Sequence, residues 1–92
     1  MNEIQARKDK IKEMVAEALE VEVDEVTDTA LFVDDLGMDS LGGIDLLAAL
    51  ETGFGVEIDQ SELPRLVNIN AVYEVVAEAA GWGADELTSA SA

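Results

Sequence analysis

The chain contains neither cysteine nor histidine. The first absence excludes disulfides, thiolate metal sites and a cysteine nucleophile. The second removes the commonest general base and the commonest metal ligand, so most hydrolytic designs go with it. Long apolar runs are also missing. The longest, Leu46 to Leu50, is far short of the roughly 20 residues that span a bilayer, and the N-terminal stretch "NEIQARKDKIK" lacks the apolar centre of a signal peptide. A cytoplasmic protein with no membrane partner is expected. Positive charge is the scarcest commodity: 5 basic residues face 21 acidic ones, a formal net charge of −16. Only Glu3 and Asp9 precede Glu13, so from Glu13 onward 19 carboxylates face the single Arg65, while Arg7, Lys8, Lys10 and Lys12 gather in one N-terminal patch. Nucleic acid is excluded as a partner by this sign, and basic protein surfaces are favoured.

What is present is enough to fold. Nearly half of the 92 residues are apolar, which suits one compact domain and leaves no room for a second. Ile4, Ile11, Met14, Val15, Ala18 and Leu19 recur at helical spacing and predict a first helix over 4–19. The segment "EVEVDEVTDTALFVDDLGM" is acidic and has no hairpin partner. It reads as a long loop pinned across the bundle by burial of Val26, Leu31, Phe32, Val33 and Leu36. Asp39 is placed to cap a second helix ending at Glu51 or Thr52, with Leu41, Ile44, Leu47, Ala48 and Leu50 along one face. "GFGVEI" follows as a glycine-bracketed turn with Phe54, Val56 and Ile58 inward. Asp59 or Ser61 can then cap a short helical turn through Leu63, and a last helix runs from Asn68 or Asn70 to a stop at Gly81. The expected fold is all-α: three main helices and one short one, with a single domain over 1–82 and a mobile tail over 83–92.

One stretch calls for chemistry. In "DDLGMDSLGGID", Ser40 stands at the first position of the second helix, where unpaired backbone N–H groups and the positive end of the helix dipole converge. A phosphate ester there would sit in favourable electrostatics. Position alone favours a small polar residue tolerated at a helix start. Nucleophilic catalysis is disfavoured, because no histidine is available to activate the hydroxyl and the lysines belong to another helix. No catalytic residue and no metal site is expected. A calcium loop fails on spacing, since oxygen ligands do not fall at the required positions around a sixth-position glycine.

The same residues carry a resemblance. "DDLGMDSLGGIDLLAALE", with its Asp39-Ser40-Leu41 core, resembles the attachment motif of acyl carrier proteins. The likeness extends over residues 3 to 80, through "EVTDTALFVDDLG" in the loop and "LETGFGVEI" leaving the second helix. It implies that Ser40 bears a 4′-phosphopantetheine arm derived from coenzyme A and added by a phosphopantetheinyl transferase. The arm's thiol then holds acyl intermediates for ketosynthase- and acyltransferase-type partners, while the protein, a monomer, performs no chemistry itself. By the same resemblance Asp39, Leu41, Ile44, Asp45, Ala48 and Glu51 belong to the partner-recognition helix, and Leu66 lines the channel that shelters the acyl chain. At 100° per residue, Asp45 and Glu51 point about 140° and 20° away from the serine.

Two departures matter. Thr52 and Gly53 stand where many relatives continue the docking acids. Gly42 and Gly43 cost roughly 1 kcal/mol each relative to alanine if helical, a cost explained either by close approach of the arm and transferase to the serine or by drift in a well-packed helix. Fatty-acid carriers usually have bulkier residues at these two places, so the resemblance leans towards polyketide or other specialised biosynthesis. A peptidyl or D-alanyl carrier would use the same serine with a less acidic surface. A small acidic helical adaptor with an unmodified serine would explain charge and fold but not the motif.

Overall fold

A computed structural model describes residues 3–82, so the expected tail over 83–92 lies outside the described residues. Three α-helices form the body: α1 (Glu3–Leu19), α2 (Ser40–Phe54) and α3 (Ile69–Ala80). A short 3-10 helix, Gln60–Arg65, precedes α3, and a single 3-10 turn, Val23–Glu25, lies in the long connection between α1 and α2. No strand is present among the described residues, and no described helix is long and apolar enough to cross a membrane. The all-α expectation holds, including the caps. Asp39, Asp59 and Asn68 each turn a side-chain oxygen onto a backbone N–H of the helix they precede, and Gly81 ends α3 in the left-handed conformation.

The core is one cluster fed by every element: Ile11 and Val15 from α1, Val26 and Phe32 from the connection, Leu46, Leu47 and Leu50 from α2, Ile58 and Leu66 from the turns, and Ile69, Val72, Val75 and Val76 from α3. α1 stops without a glycine. Glu20 takes φ 56° while Val21 N–H donates to Ala16 O at 2.9 Å, closing the helix by a Schellman-type turn. This turn aims Val21 inward, where it packs half-buried against the core.

The connection is pinned as expected, but by fewer residues. Phe32 is fully buried. Its N–H donates to Val67 O at 2.9 Å and its carbonyl accepts from Met38 N–H at 2.8 Å, so both strapping bonds converge on one residue. Asp35 folds the rest of the stretch by accepting from Leu31 N–H at 2.8 Å. These turns leave Leu31 and Val33, on either side of Phe32, 40% and 60% exposed rather than buried. Ile4, expected in the stripe of α1, is exposed too.

α2 differs from expectation in length and phase. It continues through Gly53 to Phe54, because Gly55 (φ 64°) supplies the left-handed stop and sends its N–H back to Glu51 O. Its buried face consists of Gly43, Leu46, Leu47 and Leu50, while Leu41, Ile44 and Ala48 point outward. The short helix likewise reaches Arg65, two residues past Leu63.

All five cations are committed inside the molecule. Arg7 lies 2.6 Å from Glu3 and 4.1 Å above the Trp82 ring. Lys8 donates to Asn70 Oδ1 at 2.9 Å, tying α1 to α3. Lys10 donates to Gly53 O at 2.9 Å near the C-terminus of α2, where a cation is favoured, and lies over Phe54. Lys12 pairs with Asp28 at 2.8 Å and holds that carboxyl below its usual range. Arg65 grips both oxygens of Glu78 (2.9 and 2.8 Å) and one of Glu62 (2.7 Å), joining the short helix to α3. The N-terminal patch expected from sequence is therefore a set of ties.

The two first-turn glycines of α2 also look inward. A Cβ on Gly42 would stand 3.2 Å from Leu19 Cδ2 and 3.3 Å from Asp39 Oδ1, whereas on Gly43 it would meet Leu63 and Met38 at an ordinary 3.7 Å. At Gly42 the missing side chain leaves room for Leu19 and the Asp39 carboxylate, whereas at Gly43 a Cβ would fit. Gly43→Ala should accordingly stabilise the fold by about 1 kcal/mol, and Gly42→Ala by less, since Leu19 and the Asp39 cap must shift. Urea unfolding of both variants checks this, and a gain for Gly42→Ala equal to that for Gly43→Ala would contradict it.

Candidate functional site

Ser40 opens α2 with an exposed side chain. Asp39 fixes the turn in front of it: its backbone is extended, its Oδ1 accepts from Gly42 N–H at 2.8 Å, and its carbonyl accepts from Gly43 N–H at 2.9 Å. The N–H groups of Ser40 and Leu41, the first two of the helix, are thereby left at the positive end of the dipole with no intrahelical acceptor. Gly37, at φ 73°, makes the preceding bend. Of the nearby acids, Asp35 and Asp39 both spend a carboxylate oxygen on backbone N–H groups of their own segment. An anionic ester on the serine hydroxyl is accommodated: exposed oxygen, unpaired N–H groups, and carboxylates turned to local backbone.

Beyond the serine, Leu41 is 68% and Ile44 45% exposed, with Asp45 and Ala48 exposed beside them. At 100° per residue these four fall within an arc of about 100°, opposite the buried leucines. An exposed face mixing large apolar groups with a carboxylate is suited to contact rather than solubility alone. Leu66 is on the other side of the matter: 1% exposed, it belongs to the core just ahead of α3. Glu51 is half-buried, and its Oε2 accepts from Ile58 N–H at 3.0 Å. This bond closes the turn after α2, a structural duty that its position in the sequence did not disclose. No group of three or more metal-binding side chains occurs among the described residues.

Comparison with known proteins decides the class. Residues 9–76 match the family model described as "Phosphopantetheine attachment site". The chain belongs to this family. It is a carrier that holds acyl intermediates on 4′-phosphopantetheine, as the resemblance implied, and the family is one of carriers rather than catalysts. The carrier is 55% identical over 75 residues to "Polyketide-8 synthase acyl carrier protein 1" of Streptomyces avermitilis, covering 82% of this chain and 89% of that protein. It is 35% identical over 74 residues to "Polyketide-8 synthase acyl carrier protein 2" of the same organism, covering 80% and 85%. Among solved structures it superposes with a TM-score of 0.70, at 43% identity over 83% of this chain and 96% of the other, on a chain of "The ishigamide ketosynthase/chain length factor".

Glu51 offers a test of the site's construction. Glu51→Lys should destabilise the carrier by about 1–3 kcal/mol, because the Ile58 N–H loses its acceptor in a part-buried turn, while Glu51→Gln, which retains an acceptor oxygen, should cost clearly less. Thermal unfolding of the two variants measures the difference; equal melting temperatures would remove the bond's importance.

Proposed function

We propose that Ser40 is the residue that bears the arm and that the cargo is a polyketide intermediate. Support for the serine is its geometry: it is exposed at the dipole end of α2, within the Asp39-Ser40-Leu41 motif and inside the matched span. Support for the cargo is the naming of both relatives as polyketide synthase carriers. When bound, the arm supplies the thiol that this sequence lacks and forms the thioester. The chain's own contribution is positional. α2 fixes the attachment point, its N-terminal N–H groups stabilise the phosphodiester, and the tether replaces a diffusing substrate by a high local concentration in each partner's active site.

Partner recognition falls to the outward face of α2. Leu41, Ile44 and Ala48 offer a small apolar contact, with Asp45 and the Asp39 region supplying charge, and Glu51 contributing the oxygen left over from its bond to Ile58. The partners are a phosphopantetheinyl transferase and ketosynthase- or acyltransferase-type enzymes with basic docking surfaces, the ketosynthase in keeping with the solved neighbour's name. Leu66, buried in the core just ahead of α3, is the residue to line any shelter for the acyl chain.

Incubation with coenzyme A and a broad-specificity transferase should add one phosphopantetheine to the wild type and none to Ser40→Ala, read by intact mass. Label on Ser40→Ala, or none on wild type, would overturn the assignment. Asp45→Lys should slow modification by about tenfold at low ionic strength, with the loss shrinking as salt screens the encounter. Glu74→Lys, at an exposed acid on α3, changes the net charge equally and serves as the control. Equal slowing in that control would mean that total charge alone matters.

A further inference from the structure

Gly53 is where α1 meets the end of α2, and two side chains of α1 converge on it. Lys10 donates to its carbonyl at 2.9 Å. Met14, four residues further along α1 and so on the same face, lays its thioether on the bare backbone: a Cβ on Gly53 would collide with Met14 Cε and stand 3.4 Å from Sδ. Gly53 is itself exposed, so on that side no side chain covers the sulfur. Met14 and Gly53 also line an open groove of about 570 Å³ between the two helices. Met38, the other methionine among the described residues, edges a smaller hollow of about 230 Å³, but its Cε is turned beneath α2, beside Leu63 on the buried Gly43.

We propose that Met14 is a redox-sensitive modification site: peroxides convert its thioether to the sulfoxide, and the new oxygen loosens the seam between α1 and α2. The step needs no activating base, which suits a chain without histidine. A lone pair on sulfur attacks the outer oxygen of the peroxide and the O–O bond breaks. The proton on the transferred oxygen passes to the departing one, which leaves as water or an alcohol. Sulfur loses two electrons and the peroxide gains them. Methionine sulfoxide reductases reverse the conversion. The product is polar where the reactant was apolar and adaptable. Its oxygen is a hydrogen-bond acceptor, and the Lys10 ammonium is a donor already held at Gly53. A bond from Lys10 to the sulfoxide draws the lysine off the Gly53 carbonyl and removes that tie, while Met14 loses its apolar packing against the core.

The full chain, treated with a small excess of hydrogen peroxide, is followed by peptide-resolved mass and by thermal unfolding. One oxygen is expected at Met14 before Met38, with Met1 read on its own peptide. The melting temperature should fall by about 5 °C, the size of one lost tie in a domain of this length, and should return after treatment with the reductases. Met14→Leu, close in volume, should keep its melting temperature through the same treatment. Lys10→Ala should lose clearly less on oxidation than the wild type, because its tie is already gone. Conversion of Met38 first, or of both together, overturns Met14 as the sensitive site. Sulfoxide at Met14 with an unchanged melting temperature overturns the loosening of the seam, as does an equal fall in Met14→Leu. An undiminished fall in Lys10→Ala overturns the part given to the lysine.

Discussion

Five cations must hold together a chain with 21 carboxylates, and the fold answers by spending every one of them internally. Lys8 ties α1 to α3, Lys10 ties α1 to the end of α2, Lys12 anchors the long connection through Asp28, Arg65 clasps the short helix to α3, and Arg7 covers Trp82, whose ring meets Phe54 edge-on at 5.1 Å. Individually such exposed pairs contribute little. Their joint placement matters more, because Lys8, Lys10, Lys12 and Arg65 each tie together two elements of the bundle. What remains outside is almost purely negative. The positive charges are spent on ties within the frame, and the outward field belongs mainly to the acids.

The serine's surroundings follow the same logic of inward commitment. Asp39 and Asp35 turn to backbone N–H groups, and Gly42 and Gly43 admit Leu19, Met38 and Leu63 against the first turn of α2. With these groups engaged inward, Ser40 itself stands clear. The helix start is held rigid from beneath while its outer side stays open, which is what an attachment point for a long flexible arm requires.

Local signals were legible in the sequence wherever one residue decides a local geometry. The cap at Asp39, the stop at Gly81 and the serine at the start of α2 could be read directly, and the caps at Asp59 and Asn68 to within a choice of two residues, because capping is set within three or four residues. The phase of α2 could not. Leu41, Ile44 and Ala48 on one side and Leu46, Leu47 and Leu50 on the other make the helix apolar nearly all round, so periodicity alone has no preferred face. Leu31 and Val33 misled for a related reason: hydropathy marks them for burial, but the turns that bury Phe32 leave its two neighbours exposed. Glu51's bond to Ile58 and the lysine ties join residues far apart in sequence, and no local pattern encodes them.

The exposed face of α2 also constrains how long any partner stays. Leu41, Ile44 and Ala48 give it a short apolar strip, much less than the roughly 800 Å² per partner that stable interfaces bury. On the proposed docking face, residence is therefore brief. The anionic field acts on the other rate, raising encounters with basic surfaces without deepening the bound state in proportion. Fast arrival with fast departure is the combination that a shared carrier needs, since it must hand one intermediate to several enzymes in turn. A larger apolar face would gain affinity and lose turnover, so with docking on α2 as proposed the small exposed strip beside Ser40 suits a shared carrier.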